Sequence, residues 1–185
     1  MKYLIVSFIL ICNVCLAQKP ASKTKKTSTA AKPAAAPQKK VSEWDELDKT
    51  FVAFVAALEN KDKAAYTALS LKQVDCAECP GGGEQGSYSH FVPAEVFYIT
   101  VAEDFKKSPV YKALAKRGYA FNTMVLKDFK PSFLPKDTSN DLKVYEVWVQ
   151  TYKPDELSKG HIGTNHAFQF VKVNGSFKFF GLTSQ

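Results

Sequence analysis

The chain has 185 residues, 45% of them hydrophobic and 23% charged, which are ordinary proportions for a globular protein with room for one domain. Its net charge of +7 does not belong to that domain: Lys2, Lys19, Lys23, Lys25, Lys26, Lys32, Lys39 and Lys40 all precede the first acid, Glu43, and from there on 17 basic residues stand against 18 acidic ones. A folded surface without excess positive charge excludes nucleic acid as the expected partner.

Met1 to Ala17, MKYLIVSFILICNVCLA, reads as a cleaved signal peptide. Lys2 supplies the basic start, Tyr3 to Ile11 the apolar run and Cys15-Leu16-Ala17 the small-x-small cleavage site, so that Gln18 becomes the new N-terminus. An uncleaved span would need about 20 apolar residues, and this run is broken by Asn13. A lipoprotein signal needs a small residue before the modified cysteine, whereas Cys12 follows Ile11 and Cys15 follows Val14. Export to a bacterial periplasm or medium is the expectation, although a eukaryotic secretory signal has the same parts.

The segment 18–41 is rich in Lys, Ala, Pro, Ser and Thr and has almost nothing to bury, so it is expected to be a disordered linker. A soluble spacer explains it most simply. The alternative is a weak contact between its lysines and an anionic surface, which deletion of 18–40 would abolish.

A single α+β domain is expected over 42–185. Ser42 is an N-cap with Asp45 three residues on, and Trp44, Leu47, Phe51, Phe54 and Leu58 form one apolar stripe of a helix. Asn60 and Lys61 end it. Asp62 caps a shorter helix in which Ala65, Tyr66 and Leu69 share a side, and so short a turn pairs the two.

Gln73 to Pro93 reads as irregular. It holds Cys76 and Cys79, the only cysteines left once the leader is removed, and after export the expected state is a local disulfide. A redox-active pair would begin a helix, yet Cys79 runs into Pro80 and three glycines. Haem attachment fails because Pro80 stands where histidine is required. Zinc would need two more ligands, from His90 with His161 or His166. No metal and no cofactor is expected. The glycines at 81, 82, 83 and 86 lack the Gly-Lys-Ser/Thr of a phosphate loop and read as a flexible lid.

Pro93 opens a helix expected over about Ala94–Lys106, with Phe97, Val101 and Phe105 on one stripe; Ser108 and Pro109 begin another that stops at Gly118. Tyr119–Phe129 and Leu142–Tyr152 then carry the aromatic and β-branched residues of strands. The last stretch, His161–Gln185, is a β-hairpin turning at Asn174-Gly175. A two-residue loop sets Phe170 opposite Phe179, Val171 opposite Lys178, Lys172 opposite Phe177 and Gln169 opposite Phe180, so one face carries Phe168, Phe170, Phe177 and Phe179. Val171, Val173, Phe180 and Leu182 make the other face apolar too. That face calls for cover by more protein, and a homodimer through the sheet would supply it. The expected architecture is therefore N-terminal helices packed on a curved, four-stranded antiparallel sheet.

This order of elements, with the helix ending FVAFVAALENKD and the closing hairpin FQFVKVNGSFKFFGL, resembles the nuclear transport factor 2-like superfamily, which includes ketosteroid-isomerase-like and SnoaL-like proteins. The resemblance covers about residues 43–185. It implies a cone-shaped, cystatin-like fold with a small-molecule pocket at its mouth and, in many members, dimerisation through the sheet.

Family enzymes use a carboxylate base with a tyrosine or protonated acid, or a His and Asp pair. None of these sets can be matched here residue by residue. His166 is the one catalytic candidate, and Tyr66, Tyr98, Trp148, His166 and Phe168 are the candidates for lining a pocket. Each also has a plain structural reading: a histidine at a strand end bonded to backbone, an outward Glu146 beside Trp148, and core tyrosines whose hydroxyls reach the surface. The sequence therefore favours an exported, non-catalytic domain that binds a small molecule or an envelope protein. An isomerase or hydro-lyase using His166 is the alternative, and a thiol-disulfide protein using Cys76 and Cys79 is the third.

Overall fold

The computed structural model describes residues 42–80, 88 and 90–185. The expected leader at 1–17, the linker at 18–41 and the glycines proposed as a lid lie outside the described residues.

The first helix, α1 (Glu43–Glu59), begins at a reciprocal cap. The Ser42 hydroxyl accepts from the Asp45 N–H at 3.1 Å and the Asp45 carboxylate accepts from the Ser42 N–H at 3.2 Å. Leu47, Phe51, Phe54 and Leu58 are buried as the stripe requires, while Trp44 is partly exposed and stacks on Phe121 with ring centroids 5.7 Å apart. Asn60 closes α1, and Asp62 caps α2 (Lys63–Leu69) by accepting from the Ala65 N–H at 2.9 Å.

Strands follow immediately, where an irregular segment was expected: β1 (Ser70–Cys76) and, after the turn at the cysteines, β2 (Phe91–Pro93). Then come α3 (Ala94–Ala102), a 3-10 turn at Phe105–Lys107, and α4 (Pro109–Arg117), with Ser108 as N-cap and Gly118 as C-cap at φ 73°. α3 is shorter than its stripe suggested, and the 3-10 turn carries Phe105 into the core in its place. The remaining strands are β3 (Ala120–Leu126), β4 (Leu142–Tyr152), β5 (Thr164–Val173) and β6 (Ser176–Ser184).

The fold is α+β, but the sheet is six-stranded and mixed rather than four-stranded and antiparallel. Its order is β2-β1-β6-β5-β4-β3, with β1 parallel to β6 and every other neighbour antiparallel. The β1–β6 pairing joins residues more than a hundred positions apart, Ser70 to Phe179 for example, and no local turn announces it.

The hairpin turns at Asn174 (φ 49°) and Gly175 (φ 77°), the positive angles of a type I′ turn. Phe170 faces Phe179, Val171 faces Lys178 and Lys172 faces Phe177, as the two-residue loop requires. Gln169, however, faces Gly181 instead of Phe180, because β6 carries one extra residue there. Phe180 is on the far face as expected, but the bulge puts Gly181 on that face as well and returns Leu182 to the helix side, opposite Phe168, so Leu182 is not on the face expected for it.

On the helix side, Phe168, Phe170, Phe177 and Phe179 pack with Phe51, Phe54, Tyr66 and Phe97 in one core. Phe54 lies centrally, with ring centroids 4.3 Å from Phe179 and 5.7 Å from both Phe170 and Tyr66. The far side holds a second cluster of Leu142, Val144, Val171 and Phe180. Its cover is the chain itself: Phe129, Phe133 and buried Leu134 from the β3–β4 connection, with Tyr88 and Phe91.

Candidate functional site

Where the end of the sheet meets the helices, the chain leaves a cavity of about 800 Å³. The ends of β4, β5 and β6 form its floor, α3, the 3-10 turn and the first residues of α4 form one wall, and Cys76, Ala77 and Glu78 form another. Its surface is mostly apolar, from Val101, Phe105, Pro109, Val110, Phe168 and Leu182, and its rim bears Glu78 and the Asp104–Lys107 pair at 2.7 Å. Cys76 and Cys79 are joined as a disulfide across a turn rather than a helix start, and Cys76 is part of the wall.

His166 enters this cavity from β5. Its Nδ1 lies 2.7 Å from the Thr151 hydroxyl, a side chain rather than the backbone partner expected. Thr151 is two residues beyond Val149, the cross-strand partner of His166, so strand alternation puts its hydroxyl on the face of the ring, and the bulge between Gln150 and Tyr152 brings Tyr152 to the same face. Burial among apolar groups holds the imidazole below its ordinary pKa, with the negative charge of Glu78 pulling the other way. At neutral pH the ring is therefore uncharged, and among the described residues its second nitrogen has no hydrogen-bond partner, which leaves it for whatever occupies the cavity.

The residues singled out in the sequence separate in space. His166 and Phe168 line the cavity. Tyr66 is buried in the helix-side core, where its hydroxyl donates to the Ala94 carbonyl at 3.0 Å rather than reaching the surface; burial pushes its pKa up strongly. Tyr98 packs against the Tyr66 ring at 5.1 Å and does not line the cavity. Trp148 lies on the opposite face of the sheet: it pairs with Ala167, one position out of phase with the helix-side pair Val147 and Phe168. Among the described residues no group of three or more His, Cys, Asp or Glu could hold a metal ion, so His90, His161 and His166 do not complete a zinc set with the cysteines.

On the far face there is an arrangement the sequence did not reveal. Asn122, Glu146, Gln169, Gly181 and Asp75 are successive cross-strand partners from β3 to β1, making one rank across five strands. Glu146 is buried, not outward. Its carboxyl group accepts from Asn122 Nδ2 at 3.1 Å, Trp148 Nε1 at 3.0 Å and Gln169 Nε2 at 3.1 Å. Gln169 Nε2 also donates to the Tyr88 hydroxyl at 3.0 Å, and its Oε1 is buried without a hydrogen-bond partner among the described residues. Burial pushes the carboxyl of Asp75 above the usual aspartate range, opposed by its charge and backbone contacts with His90. The signal available in the sequence was a run of polar residues at inward strand positions; seeing it as a rank required the register of all five strands.

Compared with protein-family models, the chain matches none, and it matches no curated protein.

Proposed function

We propose that this is an exported, non-catalytic domain that holds a small molecule in the cavity at the end of its sheet. The supporting observation is the cavity itself: about 800 Å³ of mainly apolar space with one imidazole in it, a volume within the range of small-molecule sites. That ring is bonded to a hydroxyl, Thr151, and not to a carboxylate that would tune it for proton transfer. Kinship with the nuclear transport factor 2-like proteins is part of the same proposal. What supports it is the α1–α2 pair laid against a sheet that ends in a hairpin, with a cavity at the end of that layer. Export rests on the sequence of residues 1–17; among the described residues no helix is long and apolar enough to cross a membrane.

The test is native mass spectrometry of the untagged protein recovered from its own host. The expected result is a chain beginning at Gln18 that carries an adduct of a few hundred daltons, lost from a Val110→Trp variant whose added ring fills the cavity. An adduct retained by that variant would place the ligand elsewhere. A bare chain would turn the search towards protein partners, and turnover of a recovered ligand that disappears in His166→Ala would move the domain to the isomerase or hydro-lyase class.

A further inference from the structure

We infer that the cavity selects an uncharged molecule, mostly hydrocarbon, whose single hydrogen-bonding group meets His166, and that it rejects anions. The inference rests on the reading of the cavity as a ligand site and deepens it. The charges around the space decide the class. Among the described residues lining it, Lys107 is the one lysine or arginine and is bound to Asp104, while Glu78 adds a negative charge to the rim. A carboxylate, sulfonate or phosphate entering here would leave water for a wall of Val, Phe, Pro and Leu side chains and find no unpaired lysine or arginine among the described lining residues to replace its hydration. A neutral group loses far less and gains a partner, because Nδ1 of His166 is occupied by Thr151 and the other ring nitrogen is left to bond it. Which way that bond runs follows from Thr151: if its hydroxyl donates to Nδ1, the second nitrogen donates to the ligand; if it accepts, the second nitrogen accepts.

The rejection of anions is conditional on the charge of His166, which gives it a second reading by pH. The titratable groups that line the cavity beside it are Glu78 from the cysteine turn, Asp104 and Lys107 from the 3-10 turn and Tyr152 from the end of β4; the sulfur of Cys76 is in the disulfide and does not titrate. Protonation of His166 on acidification is the change that puts a positive charge inside the cavity, and an anion then gains a counter-charge.

The experiment uses two fluorescent probes with one skeleton, neutral N-phenyl-1-naphthylamine and its sulfonate, 8-anilinonaphthalene-1-sulfonate, titrated into the purified protein. At about pH 8 the neutral probe is expected to bind at least about tenfold more tightly. Toward about pH 5 the sulfonate is expected to gain affinity in the wild type and not in His166→Gln. Val110→Trp and Thr100→Trp, which narrow the cavity from a half-buried and an exposed position, should each weaken the neutral probe. Equal binding of both probes at about pH 8, blocked by either tryptophan, would overturn the selectivity and leave the cavity as the site. Binding of the neutral probe that neither tryptophan weakens, or no binding at all, would overturn the cavity reading and this inference with it.

Discussion

The Cβ that Gly181 lacks would fall 2.7 Å from the Cβ of Asp75 and 2.8 Å from its carbonyl oxygen. Gly181 follows the bulge in β6, and β1 lies against it at this point as the parallel neighbour. A side chain here would push against backbone, which cannot turn aside. Gly181→Ala is therefore expected to destabilise the domain by about 1–3 kcal/mol, the usual range for overpacking, read as a lower urea midpoint with an unchanged slope. A midpoint equal to that of the wild type would mean that β1 can move away at little cost.

Asp75 itself should make stability depend on pH in the direction opposite to most aspartates. Burial raises its folded pKa above the unfolded value, so the folded state holds the proton more tightly. The stability contributed by the protonated form is complete below the unfolded pKa and is lost as pH rises through the folded one. Asp75→Asn should remove this loss: the variant is expected to be more stable than the wild type near pH 7, with the gap closing towards about pH 3. Urea midpoints measured across that interval check it, and a gap that widens on acidification would contradict it.

Glu146 gathers three donors in a buried site, and its removal should cost more than that of any exposed acid. Glu146→Leu leaves the amides of Asn122 and Gln169 and the indole N–H of Trp148 without this acceptor. The expected loss is about 3 kcal/mol or more, with a change in Trp148 fluorescence because the carboxyl group lies 3.0 Å from its ring nitrogen. Lys143→Ala, which removes an exposed pair with Glu43, should shift the midpoint far less. Comparable shifts in the two variants would show that the far-face rank is not a structural centre.

What could be seen in the sequence was what is decided locally. The Ser42 and Asp45 cap, the Asp62 cap, the Ser108-Pro109 start and the Asn174-Gly175 turn each lie within four residues, and each forms. The reading failed where distant strands decide. β1, with Lys72 and Gln73 exposed in mid-strand, has neither clean alternation nor a neighbouring hairpin, and its partner β6 is at the other end of the domain. The extra residue in β6 was equally hidden, and it reversed the expected side of Leu182. His166 could be traced to the Phe168 face by counting back from the hairpin, and it does share the cavity with Phe168. Trp148 could not be assigned in that way, because its side depends on the pairing of β4 with β5 across a connection of unfixed length.

The last prediction concerns what keeps the cavity floor in place. Arg117, the final residue of α4, donates from Nη1 to the carbonyls of Gln150 and Thr151, each at 2.7 Å, and from Nη2 to the Glu156 carboxylate. Glu156 in turn accepts from the Lys153 N–H at 2.7 Å. One guanidinium thus holds the backbone at the bulge beside Thr151, the partner of His166. Arg117→Ala should free these carbonyls, speed amide hydrogen exchange over 150–153 and weaken N-phenyl-1-naphthylamine by about threefold to tenfold without abolishing the fold. Arg117→Lys should not restore either property, because an ammonium on a flexible stem cannot reproduce the planar fork that reaches two carbonyls and a carboxylate together. Full rescue by lysine would reduce the role of Arg117 to its charge, and unchanged exchange in the alanine variant would show that the bulge holds Thr151 unaided.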